Sequence, residues 1–144
     1  MKLNPNCIRD LMLFFEEKTY VMNSNGSGGR FHSISPELFC KMEPLNKYGM
    51  DEILYHIIQL SESGYIVTDF NFNLEAPASC FNLSSIHYIT PKGHEFIASI
   101  KEDTRWGKIQ KVLRPLGAVS LSVIEAVASG VTGATINHLL GQDQ

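Results

Sequence analysis

The sequence predicts an α+β fold, mostly helical, from three observations. Apolar residues recur at three- and four-residue steps in several separate stretches, two short runs alternate as strands do, and Pro or Gly punctuates the boundaries. The 144 residues make one domain's worth of chain, long enough to bury roughly 70% of its unfolded surface. With 44% hydrophobic and 19% charged residues, the composition is that of a globular protein and not of a disordered one.

Asn4-Pro5 opens the first helix, because a proline at the first helical position gives up no hydrogen bond the helix would have used. Ile8, Leu11, Met12 and Phe15 then mark one face of a helix over about residues 5–19. The run 23–29, Asn-Ser-Asn-Gly-Ser-Gly-Gly, is a loop of residues that tolerate positive φ. Phe31 and Ser33 alternate with His32 and Ile34 in one short strand. Ser35-Pro36 caps a short helix to about Met42, which Pro44 stops. A stronger helix follows Gly49, with Met50, Ile53, Leu54, Ile57 and Leu60 on one face and Gly64 as its cap. Residues 65–72 and 86–89 read as strands separated by a long loop at 74–84, and Thr90-Pro91 opens a helix to about Glu102.

That order is the one of a winged helix-turn-helix core with a two-stranded wing. Two further stretches, 103–114 and 119–140, add a C-terminal helical extension. The expected division is therefore 1–102 for the winged-helix domain and 103–144 for an extension that packs on it or forms an oligomer interface.

One set of residues is more specific. Tyr55-His56, Leu60, the run from Ser61 to Ile66, the run from Ile89 to Phe96, and Asp103 through Trp106 with Lys108 resemble a family of phage- and prophage-associated winged-helix proteins of unknown function. The resemblance covers about residues 48–114. It implies the winged-helix fold and a mobile-element origin, and it carries no chemistry with it. On packing grounds, Gly93 permits a close approach of helix and sheet, Tyr65 and Ile66 pack on the core, and Phe96 and Trp106 seal it. His56 and His94 suit buried partners of backbone or carboxylate groups.

Charge argues against the usual DNA-reading mode of such a fold. The solvent-facing positions expected on the 50–62 helix are Asp51, Glu52, Tyr55, His56, Gln59 and Glu62. From Tyr48 through Pro91 there is no Lys or Arg, while Asp51, Glu52, Glu62, Asp69 and Glu75 are all acidic. Helices and wings that hold DNA place cations against phosphates, so Asp51, Glu52, Tyr55, Gln59 and Glu62 are expected to form an acidic face for a protein partner. The cations lie later, at Lys92, Lys101, Arg105, Lys108, Lys111 and Arg114. Arg105, Lys108, Lys111 and Arg114 form the candidate patch for nucleic acid or an acidic partner, and a solvated helix face is the plain alternative. The net charge of −3 gives no general attraction to polyanions.

The 119–140 segment carries one formal charge, Glu125, and a row of small residues at Ala126, Gly130 and Ala134 with Gly133 beside it. Small residues at such spacing allow close helix approach, either across a homodimer interface or against the chain's own first helix. Its polar residues make membrane insertion a poor fit. The three cysteines, Cys7, Cys40 and Cys80, are scattered as reduced thiols of a cytoplasmic protein are, and the N-terminus holds no secretory signal. His94-Glu95 is not a zinc-protease motif, since Ala98 stands where the second His belongs. No phosphate loop, nucleophile elbow or metal-ligand spacing is present, so no cofactor, no metal and no enzymatic activity are expected.

Overall fold

The computed structural model describes residues 1–19, 21–23, 29–31, 36–69 and 86–130. Helix α1, Pro5–Lys18, begins at Asn4, whose side chain accepts from the backbone N–H of Asn6 and Cys7. It buries Cys7, Ile8, Leu11, Met12, Phe14 and Phe15, more than one stripe, because other elements cover it on several sides. Strand β1, Val21–Asn23, pairs antiparallel with β2, Gly29–Phe31. The strand at 21–23 leaves no mark in the sequence, since three residues are too few to show alternation, and residues 32–34 of the strand that the sequence suggests lie outside the described residues.

Helix α2, Pro36–Phe39, is shorter than expected. The N–H groups of Lys41 and Met42 reach back only three residues, to Leu38 and Phe39, so the chain tightens into a turn before Pro44. A 3-10 turn at Leu45–Lys47 leads to α3, Met50–Glu62, which buries Ile53, His56, Ile57 and Leu60. Helix α3 ends in a double bond pattern. Gly64, at φ +81°, donates to the Ser61 carbonyl, and Tyr65 donates to that of Leu60, so a left-handed residue closes the last turn.

Strands β3, Ile66–Thr68, and β4, Ile86–Ile89, form a second antiparallel pair in which Ile66 faces Ile89. Helix α4, Pro91–Ile100, is capped by Thr90, and α5, Asp103–Leu113, runs into a 3-10 turn at Arg114–Leu116. Helix α6, Leu121–Ser129, is capped by the Ser120 side chain and closes at Gly130. Gly130 is therefore a helix end and not a mid-helix residue. Gly133 and Ala134, the rest of the 119–140 stretch, the 74–84 loop and residues 24–28 of the Gly-rich run lie outside the described residues.

The architecture is α+β and mostly helical, with two separate two-stranded sheets among the described residues. A single apolar cluster runs from Cys7 in α1 to Ala128 in α6, across the 102/103 boundary, with Trp106, Ile109, Val112 and Leu113 in it. Leu121, Ile124, Val127 and Ala128 bury α6 against α4 and α5, the two helices just before it, and not chiefly against the first helix. Arg9 ties α1 to the α4–α5 junction: its guanidinium donates to the carbonyls of Ile100 and Lys101 and to Asp103, each at 2.8 Å.

Tyr65 is where these elements meet. Its carbonyl accepts from Thr90 at 3.0 Å, its ring lies 5.0 Å from that of Phe96, and its hydroxyl donates to Glu125 of α6. Lys92 sits 4.9 Å over the ring and donates to the Ser63 carbonyl. Gly93 lets α4 come this close, because a Cβ there would stand 2.1 Å from the Tyr65 carbonyl oxygen and 2.6 Å from Ile89 Cγ2.

Gly93→Ala is therefore expected to cost ~3 kcal/mol or more in urea unfolding, since backbone must move to admit the methyl. At Gly64, where the added Cβ meets open space and only the positive φ resists, Ala should cost about 1–2 kcal/mol. Equal losses at the two sites would show that the α4 approach does not limit stability.

Candidate functional site

The first turn of α1 is wedged between α3 and α5, and the surfaces that could meet a partner lie on either side of it. Toward α3, the Asn4 N–H donates to His56 Nε2 at 2.8 Å, and Asn4 Nδ2 donates to Glu52 Oε1 at 3.0 Å. The other His56 nitrogen, Nδ1, lies 2.6 Å from the Glu52 carbonyl. Because Nε2 must accept, Nδ1 carries the proton and the ring is neutral. Burial pushes the His56 pKa below its ordinary value, partly opposed by the Glu52 carbonyl and charge.

Cys7, Glu52 and His56 bring three metal-ligand atoms within 4.8 Å of one another. The set fits an ion poorly. Both imidazole nitrogens are already committed, and burial, then the charges of Glu52 and Asp10, push the Cys7 thiol up to about 12, away from the thiolate a metal needs. Nearby, Tyr48 donates to Asp10 at 2.6 Å, and Lys47 pairs with the same carboxylate at 2.9 Å. This is a polar seam that locates α1.

On the outer side of α3, Asp51 and Glu62 are exposed, while Tyr55 and Gln59 are half-buried. None of the four side chains makes a hydrogen bond or ion pair among the described residues, and the Tyr55 ring meets that of His56 edge-on at 5.5 Å. Glu52 is half-buried and turned to Asn4, and His56 is fully buried, so neither belongs to the solvent face that the sequence suggests. The reason is the wedge: the N-cap of α1 sits on that flank. His94, expected to be buried, is exposed.

The basic residues also divide. Lys92 is held at Tyr65, and Lys101 pairs with Glu16 at 2.6 Å. Arg105 is half-buried, and its Nη2 donates to the Ala128 carbonyl at 2.8 Å, capping α6, while its buried Nε has no partner among the described residues. Three-residue steps fall about 60° short of a full turn, so a 105–108–111 row winds round the helix and its first member meets α6. Lys108, Lys111 and Arg114 are exposed, with no ion pair among the described residues.

Of the small residues in α6, Ala126 is exposed and Gly130 is half-buried at the cap. Arg9 and Arg105, whose cationic heads satisfy helix-end carbonyls, carry no local sequence signal for that role; only the tertiary fold supplies their acceptors.

A family model described as a hypothetical protein (DUF2513) matches residues 2–120. The chain belongs to this family. The DUF2513 match takes in every described element up to the Arg114–Leu116 turn, and α6 lies beyond it. No curated protein and no solved structure shows a match to the chain. No helix among the described residues is long and apolar enough to cross a membrane.

The neutral His56 predicts a pH dependence. Its folded pKa lies below the ordinary 6.5, so the unfolded chain takes up the proton first as pH falls. Its contribution is fully present above about 6.5 and is lost from there down to the folded value, with a slope of at most about 1.4 kcal/mol per pH unit. Unfolding measured between pH 8 and 5 should show a flatter loss in His56→Gln than in the wild type over that window. Parallel curves would remove His56 as the source.

Proposed function

We propose that this DUF2513 chain is a non-enzymatic regulatory or adaptor protein of phage or prophage type, acting in the cytoplasm through protein–protein binding. Its scaffold is best understood as a winged helix, with α3 in the recognition position and β3–β4 as the wing. The order of α3, two antiparallel strands and α4 supports that assignment, as does the resemblance of residues 48–114.

The observation that carries the proposal is the outer stripe of α3. Asp51, Tyr55, Gln59 and Glu62 follow one another at steps of four, four and three residues. They offer two carboxylates, a phenol and an amide whose polar groups have no hydrogen-bond or ion-pair partner among the described residues, with no cation between them. An aromatic and an amide flanked by acids suit a basic or polar protein surface and repel phosphates.

The second reading, a DNA-binding regulator using the 92–114 cations, draws on Lys108, Lys111 and Arg114. With Lys92, Lys101 and Arg105 engaged internally, three cations remain there. Three phosphate contacts give a log affinity against log salt slope no steeper than about −3. Self-association through α6 draws less support, since the buried face of that helix is spent on α4 and α5.

The test is affinity capture from nuclease-treated host cells with the wild type and with the Asp51→Lys/Glu62→Lys variant. A protein retained by the first and lost by the second is expected; identical captured sets would end the proposal for α3. In parallel, random duplex DNA should bind weakly even at low salt. Tight binding with a slope well beyond −3 would favour the second reading.

A further inference from the structure

We infer that the cleft between the first turn of α1 and the last turn of α5 is a second docking site, made for an acidic peptide segment of a protein partner. It rests on the reading of the chain as a protein-binding module but uses none of the α3 stripe.

The cleft has a volume of about 240 Å³. Pro5, Leu113 and Val119 give it apolar walls, while Asn6, Gln110 and Arg114 supply its polar groups. Asn6 Oδ1 accepts from Trp106 Nε1 at 3.2 Å and from Gln110 Nε2 at 2.6 Å. Only the oxygen of an amide can take two N–H donors, so the orientation of both side chains is fixed. That leaves Asn6 Nδ2 as a donor and Gln110 Oε1 as an acceptor, neither with a partner among the described residues. A spare donor and a spare acceptor on two residues that line the cleft suit the N–H and carbonyl groups of an extended peptide.

Charge selects the class of peptide. Arg114 lines the cleft, Lys111 is exposed three residues before it, and no acidic residue lines the site among the described residues. In a chain of net charge −3 this is a local positive region, and the guanidinium matches a carboxylate by two parallel bonds. Leu116, 54% exposed in the adjoining turn, adds an apolar contact at the chain's surface. A nucleic-acid strand would find two cations here among the described residues, Lys111 and Arg114, whereas an acidic peptide with an apolar anchor uses walls, amide pair and cations together.

The probe is a peptide of alternating Glu and Leu, added to the isotope-labelled full chain and followed by NMR. Shifts are expected in the side-chain amide signals of Asn6 and Gln110. A peptide with Lys for Glu should give none. Arg114→Glu, an exposed position without an ion pair, should weaken the Glu–Leu peptide about tenfold or more, and Asp51→Lys/Glu62→Lys should leave it unchanged. Loss of binding in the α3 variant would place the peptide on α3 and overturn the second site while sparing the protein-binding proposal. The absence of shifts at Asn6 and Gln110, an unchanged affinity in Arg114→Glu, or stronger binding of a single-stranded oligonucleotide of equal charge through the same residues would each overturn the inference.

Discussion

The contact of α4 with the backbone of Tyr65 is the constraint on which the rest of the fold depends. Through its own backbone, Tyr65 closes α3 and accepts Thr90, and through its side chain it meets Phe96, Lys92 and Glu125. A helix can sit this close to a strand's carbonyl only if the residue in contact has no Cβ, which is why Gly93 stands there. Burial and the bond to Glu125 both push the Tyr65 pKa up, so the phenol stays protonated and acts as a donor to that carboxylate. The angle between α3 and α4, and with it the exposure of the α3 stripe, follows from this junction.

Helix α1 performs a second kind of organisation. Its first turn presents Asn4 to α3 and Asn6 to α5, and Arg9 reaches the α4–α5 junction. Apolar burial supplies the driving force, but it is indifferent to direction. These polar contacts give register, since each leaves a buried donor or acceptor unmatched if the helix slides. The same geometry separates the two outward faces: acids, Tyr55 and Gln59 on α3, and a cleft with cations on the far side of the wedge.

Much of this was legible in the sequence because it is governed by local chemistry. Asn4-Pro5, Thr90-Pro91 and Gly64 mark helix ends by cap and dihedral preference, and the observed ends fall at or within about two residues of those marks. Gly93 was readable as a close approach. What escaped was everything set by tertiary neighbours. His56 reads both as a solvent-facing position of α3 and as a buried partner of backbone, and the position of Asn4 decides for the second. Likewise Lys92, Lys101 and Arg105 look like part of a continuous basic run until Ser63, Glu16 and Ala128 are found at their tips. Charge counted along a chain says how many ions exist, and only the fold says how many are free.

The bonds from α1 to α5 bear on how the molecule is made. Asn6 and Trp106 are separated by 100 positions, and Arg9 and Asp103 by 94. During synthesis, the first helix can meet α3 early through Asn4 and Asp10, but it leaves the ribosome long before the residues that bond Asn6 and Arg9 exist. The faces that β4 and α4 cover stay exposed until about residue 100 has emerged, and Tyr65 lacks its carboxylate acceptor until Glu125 follows. Completion of the core thus waits for α6, and a chain arrested midway exposes the surface on which aggregation begins.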